Sequence, residues 1–239
     1  MEPLAPGARR VAVVIPTLNE AETIASVLRE IPREIAREII VADSGSRDGT
    51  QAIARAAGAR VVELAERGYG RACLAASQSA DPGCDVIAFL DGDGADRGDL
   101  LGDLVGPILA DTHDFVIASR TRGERERGSM LWHQVLAGRL AGIGMGALYR
   151  VRYSDMCAFR AIRRDALVRL DMREMTYGWN IEMQMKAARA GLRILELPMP
   201  YRRRAGGTSK VAGSLRGTLR AGTRIVATFV RVARQGSEA

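Results

Sequence analysis

Asp91 and Asp93 stand one residue apart, directly behind the apolar run Val86-Ile87-Ala88-Phe89-Leu90, and Asp96 follows. Such a run, rich in β-branched and aromatic residues, predicts a buried strand. The two carboxylates therefore arrive together at a strand end, which in an open α/β sheet is the edge where ligands bind. Paired hard oxygen ligands there suit a divalent cation, magnesium or manganese, that can bridge to a diphosphate. Taken alone, so short an Asp-x-Asp reads more readily as a solvated polar turn, so its neighbours must decide its meaning.

Three other loops follow predicted strands. They are Pro16-Thr17-Leu18-Asn19-Glu20, Asp43-Ser44-Gly45-Ser46-Arg47-Asp48-Gly49-Thr50 and Arg67-Gly68-Tyr69-Gly70-Arg71. Parallel topology would bring all four loops to one sheet edge. Backbone amides and carboxylates there could hold a nucleoside, while a metal and arginines neutralise a diphosphate. No loop ends in the Gly-Lys-Ser/Thr of a phosphate-binding Walker motif, and none carries Gly-x-Gly-x-x-Gly. An NAD enzyme or a P-loop ATPase is therefore disfavoured.

The elements that must position these loops are legible from apolar patterning. Strands are predicted at Val11 to Ile15 (stopped by Pro16), Glu38 to Ala42, Arg60 to Leu64, Asp85 to Leu90, Phe115 to Ala118 and Arg193 to Leu197. Helices are predicted from Glu20 to Glu30, Thr50 to Ala57, Gly70 to Ala80, Leu100 to Leu109, Trp132 to Tyr149 and Tyr177 to Ala190, with a basic helix at the C-terminus. Gly58 and Gly191 read as C-terminal stops. Strands alternating with helices imply βαβ units on a mostly parallel sheet flanked by helices, an α/β fold.

The 239 residues suffice for one large domain, and 47% apolar content provides a core. The net charge of +7 favours anionic partners such as nucleotides, phosphorylated substrates or acidic lipid surfaces. Cys73, Cys84 and Cys157 have no metal-binding spacing, and an odd number suits a reducing cytoplasm better than a disulfide framework. The first ten residues lack the apolar centre of a signal peptide, and no stretch approaches the ~18–20 apolar residues of a membrane span. The expected location is cytoplasmic, or peripheral on the cytoplasmic membrane face.

Taken in order, several motifs carry a family resemblance. Val13 to Glu20 resembles the opening motif of family-two glycosyltransferases with the GT-A fold. Ile40 to Thr50 resembles their second motif, and Phe89-Leu90-Asp91-Gly92-Asp93 their metal-binding element. Ala118-Ser119-Arg120, Phe159 to Arg164 and Gly206-Gly207-Thr208-Ser209-Lys210 are similar to motifs of the polyprenyl-phosphate sugar synthases, such as the dolichyl-phosphate mannose synthases. The likeness spans roughly residues 11–214. Two departures stand out: Ser44 follows Asp43 where a second carboxylate is common, and Cys157-Ala158 stands where glycine is frequent before the Phe-Arg pair.

The resemblance implies one GT-A domain over residues 11–210, with a nucleotide-sugar half (11–120) and an acceptor half (121–210). A flexible N-terminus (1–10) and a basic amphipathic helix and tail (211–239) flank it. It implies that Pro16, Glu20, Asp43 and Ser44 line the nucleoside pocket, with Gly70, Arg71 and Gly92 completing the donor edge. Asp91 and Asp93 would hold Mg2+ or Mn2+ and the donor diphosphate. Arg120, Arg204 and Lys210 would bind phosphate, with Arg202 on the same late loop. A phosphate acceptor is already ionised, whereas a hydroxyl acceptor needs a base, for which Asp155 and Glu182 are candidates. The expected reaction moves a hexose from a nucleotide sugar of the GDP-mannose or UDP-glucose class to a phosphorylated or lipid-linked acceptor, with inversion. Peripheral membrane contact is expected through the C-terminal helix, whose arginines at 216, 220, 224 and 231 keep near one face. Two rivals remain. One is a nucleotidyltransferase on a similar sheet, although its glycine-rich, lysine-containing loop is missing. The other is a basic nucleic-acid binding module, although no aromatic stacking platform is present.

Overall fold

The computed structural model describes residues 10–207 and 215–235. Strand β1 (Val11–Thr17) sits inside a seven-stranded sheet. It pairs in parallel with β2 (Ala36–Asp43) on one side and β4 (Val86–Phe89) on the other, and β2 carries the edge strand β3 (Arg60–Glu63). Helices cover both faces of these strands, which is why β1 and β4 read as unbroken apolar runs instead of alternating ones. The helices are α1 (Ile24–Glu30), α2 (Thr50–Ala56), α3 (Tyr69–Ser79) and α4 (Leu101–Leu109). Gly58, at φ +81°, ends α2 as expected.

Pro16 does not stop β1 where the sequence predicts. The Val14 carbonyl accepts from Leu90 on the β4 side, and that ladder ends there. Alternate residues face the same neighbour, so the nitrogen of Pro16 points past the end of β4 and no ladder bond is lost. Pairing with β2 continues to Thr17 opposite Asp43.

The second half departs from a simple βαβ series. Strand β5 (Phe115–Ser119) does not join β4. Between them runs β6 (Arg160–Arg163), antiparallel to both, and β7 (Ile194–Pro198) adds in parallel on the far side of β5. No strand is predicted at Arg160-Ala161-Ile162-Arg163, where two arginines break the apolar pattern. The segment serves as a central strand because the buried Arg160 guanidinium donates to the carbonyls of Cys157 and Asn180.

Three helices complete this half beside the short α6 (Arg164–Arg169): α5 (Trp132–Tyr149), α7 (Trp179–Arg189) and α8 (Leu215–Arg234). One apolar core runs from β1 through α7 to Val232 of α8. The three cysteines are buried and free. Among the described residues no helix is long and apolar enough to cross a membrane.

Candidate active site

The loops after β1, β2 and β4 and the start of α3 gather at one sheet edge. Asp91 leaves β4 half-buried. Tyr69, the first residue of α3, donates its hydroxyl to Asp91 Oδ1 at 3.1 Å. The Asp96 carboxylate turns back toward the same loop and accepts from the Cys157 thiol at 3.7 Å. Burial and the nearby Asp93 and Asp96 push the Asp91 carboxyl up to about 8. Burial and Asp93 push Asp96 up to about 6. A cation placed between Asp91 and Asp93 would relieve that mutual repulsion.

A cation of the chain itself answers part of that need. Arg204 places Nη1 3.2 Å from Asp93 Oδ2 and pairs through Nη2 with Glu20, which joins the first loop, the β4 loop and the late basic loop. The late loop is itself stitched to the β4 loop, Ala205 donating to the Asp93 carbonyl and Arg202 to the Ala95 carbonyl, both at 3.0 Å. Gly92 packs tightly, since a Cβ there would lie 3.0 Å from Thr17 Cγ2. Its carbonyl accepts from Thr23 Oγ1 at 2.7 Å.

Arg120 stands near this cluster, its charge opposing the rise at both Asp91 and Asp96. Asp155 grips it in a fork, Nε to Oδ2 and Nη2 to Oδ1 both at 2.7 Å, and the ring of Tyr201 lies 5.1 Å from the guanidinium. Asp155 is 1% exposed and also accepts from the Arg120 and Met156 amides. Burial works to raise its carboxyl, but Arg120 and these bonds hold it below the ordinary carboxylate range. A carboxylate so engaged orients an arginine and is poorly placed to take a proton.

Other expected site residues fall differently. The Asp43 side chain is fully buried. Oδ1 accepts from the amides of Gly45 and Ser46 and from Gln51, and Oδ2 from the hydroxyls of Thr17 and Ser46. Asp43 thus shapes its own loop. Ser44 is also buried, its amide donating to Thr17. Pro16 is half-buried at the end of β1. Gly70 packs against protein, since a Cβ there would lie 2.1 Å from the Glu174 carbonyl oxygen. Arg71 pairs with Glu66 at 2.6 Å in solvent. Arg202 forks onto Glu30 at 3.0 and 2.6 Å and also donates to the Asp96 carbonyl at 3.0 Å, so its charge is spent tying the late loop to α1 and the β4 loop. Glu182 is buried among Lys186, Arg231 and the amides of Arg173 and Glu174, so it satisfies cations of the helices. Lys210 lies outside the described residues. Tyr69 could not be singled out from sequence, whereas Asp96 was visible as the third aspartate of Asp91-Gly92-Asp93-Gly94-Ala95-Asp96.

Helix α5 borders the Arg120–Asp155 pair and is built inside out. Gly138 and Gly142 face inward, where a Cβ at Gly142 would meet the Tyr153 carbonyl oxygen at 1.9 Å and one at Gly138 would lie 3.6 Å from Asp155 Cα. Its large apolar residues point to solvent: Trp132 (76% exposed), Leu136, Leu140 and Ile143 (70%), spaced along one face. Leu219, Val226 and Val230 of α8 are exposed too, and Phe229 of α8 packs on Gly144 of α5.

The seven-stranded, mostly parallel sheet flanked by helices matches solved structures of GT-A glycosyltransferases. The chain belongs to glycosyl transferase family 2, whose domain matches residues 12–170. It is similar to the dolichyl-phosphate hexose transferase of Haloferax volcanii, at 36% identity over 82% of this chain and 85% of that one. It is similar also to the polyprenol monophosphomannose synthase of Mycolicibacterium smegmatis, at 28% identity over 86% and 82%. Among solved structures it resembles the glucosyl-3-phosphoglycerate synthase of Mycobacterium tuberculosis in complex with Mn2+, UDP and glucosyl-3-phosphoglycerate. That match has a TM-score of 0.74 and 26% identity, and covers 94% of this chain and 80% of that one. The chain is a glycosyltransferase of the hexosyl class.

Proposed function

We propose that the chain transfers a hexose from a nucleoside diphosphate sugar to a polyprenyl phosphate at a membrane surface, with inversion. One observation carries the choice of acceptor. An arginine fit for a phosphate, Arg120, is held by Asp155 directly beneath a helix whose apolar side chains face outward. The polyprenyl-phosphate relatives support the same reading.

Asp91 and Asp93 fit a divalent cation. They are crowded carboxylates whose proton affinity is raised at Asp91, and one of them already draws in a guanidinium. Among the described residues no three Asp, Glu, His or Cys side chains converge on one point. That suits Mg2+ or Mn2+ held by one or two carboxylates, with diphosphate and water as remaining ligands. Bound there, the ion would neutralise the departing diphosphate. Arg204 shares that task from the late loop, and Arg120 orients the acceptor phosphate. An acceptor phosphate oxygen forms the new bond to the anomeric carbon from the face opposite the diphosphate, as the bond to the diphosphate oxygen breaks. The attacking oxygen carries no proton, so no general base is required.

The test is nucleoside diphosphate release from GDP-mannose and from UDP-glucose with Mg2+ or Mn2+. Each donor is offered polyprenyl phosphate in detergent, 3-phosphoglycerate, or no acceptor. Polyprenyl phosphate should raise release in a metal-dependent way. Stimulation by 3-phosphoglycerate alone would replace the lipid acceptor with a soluble one.

A further inference from the structure

Helix α8 lies far along the chain from the strand-end edge, yet it is joined to Asp91 by an unbroken series of short contacts. Arg224 Nε and Thr228 Oγ1 donate to the buried Glu174 carboxylate, each at 3.0 Å, and Arg231 stands 3.5 Å from it. The same carboxylate accepts from the Thr176 amide and hydroxyl at 3.0 and 2.6 Å. Glu182 holds the amides of Arg173 and Glu174 from the other side, at 3.1 and 2.7 Å. Segment 173–176 is thereby pinned along its length. Its carbonyls form the seat of α3: the Met175 carbonyl accepts from the Arg71 amide at 3.0 Å, and those of Glu174 and Met175 abut Gly70 and Gly68 so closely that neither glycine could carry a Cβ. Tyr69 lies between those two glycines and donates to Asp91.

We propose that segment 173–176 is a positioning bracket through which α8 holds Tyr69 in place, and that Tyr69 in turn orients Asp91 for the metal. Glu174 is thus a positioning residue that acts through Tyr69 without touching ligand. The proposal rests on the reading of Asp91 and Asp93 as metal ligands. It explains why a buried glutamate outside the edge binds two arginines of a distant helix. It also explains why glycines flank Tyr69 although neither faces the donor edge.

The experiment is a Mn2+ titration of the full chain followed by electron paramagnetic resonance, alone and with UDP or GDP. Tyr69→Phe should weaken Mn2+ binding about 5-fold, the scale of the net contribution of one ordinary hydrogen bond. Glu174→Gln and Arg224→Gln should each weaken it about 3-fold. Arg224 is half exposed, so its variant keeps the fold if Glu174→Gln does not. Added to Tyr69→Phe, either substitution should cost nothing further, because the link is already cut. Additive losses, or unchanged affinity in folded Arg224→Gln and Glu174→Gln, would overturn the bracket while leaving the metal site intact. No Mn2+ binding by the unsubstituted chain would overturn the metal reading and the bracket with it.

Discussion

Arg204 and Arg120 are both arginines on the donor edge, yet their surroundings give them different duties. Arg204 bridges Glu20 and Asp93, and in the proposed reaction its charge would act mainly as negative charge develops on the diphosphate. Arg204→Ala should lower kcat about 100-fold with a small change in Tm, and Arg204→Lys should recover part of the loss. An unchanged kcat would remove Arg204 from the transfer step. Arg120 and Asp155 form a largely buried fork instead. Asp155→Asn leaves the guanidinium without its counter-charge and should cost about 3 kcal/mol of stability by chemical denaturation. If Asp155 were a general base, its variant would lose activity without that loss of stability. The sequence showed both arginines and all the acids but not their pairing. Asp43 illustrates the limit: a lone aspartate after a strand reads as a ligand contact, while its five hydrogen bonds lie in its own loop and in Thr17 and Gln51, which no spacing rule brings together.

At the scale of elements, β1 to β4 and their helices were legible because each is a short apolar run or an amphipathic period closed by a turn. Strand β6 was not, because its arginines hide a strand whose polarity is satisfied by tertiary carbonyls. Pro16 misled only about the end of β1, since proline's cost depends on which neighbour its nitrogen faces. Two contacts between elements can be tested. Gly178 precedes α7, where a Cβ would meet Thr228 Oγ1 at 2.2 Å and Glu174 Cγ at 2.9 Å. Gly178→Ala should push α8 outward and cost about 1–3 kcal/mol, read by thermal unfolding. A neutral result would mean that α8 is not seated there. At the far end of the sheet, Arg193 before β7 donates to Asp114 before β5 and holds that carboxyl down at about 2. A lowered carboxyl contributes stability that is present above its ordinary value of 3.8 and lost as pH falls toward about 2. Asp114→Asn should therefore lower Tm near neutral pH and make little difference near pH 2. An equal deficit at both pH values would show that the pair contributes no charge-dependent stability.

For the whole molecule, the basic C-terminal helix proves to be less of a free cationic face than its sequence suggests. Arg224 and Arg231 turn toward Glu174 and Glu182, and Leu219, Val226 and Val230 are exposed on α8 beside Arg220. With the exposed stripe of α5 this gives an apolar surface of the kind that marks membrane or partner contact. The sequence showed α5 as an apolar helix, but not that its glycines face inward and its leucines outward, because that depends on the backbone of residues 153–155 pressing against it. Trp132 reports on this surface directly, since the second tryptophan, Trp179, is buried. Vesicles containing anionic lipid should shift Trp132 emission to the blue, and Ile143→Asp should weaken vesicle binding about 10-fold or more. No shift at low salt would place the acceptor in solution. In the proposed function Asp91 and Asp93 hold the donor diphosphate through a divalent ion. The most direct test is calorimetric titration of the chain with GDP-mannose and with UDP-glucose, in Mn2+ and in chelator. One donor should bind only with metal, and Asp93→Ala should weaken that binding by about 10-fold or more. Donor binding of equal strength in chelator, or undiminished binding by Asp93→Ala, would contradict it.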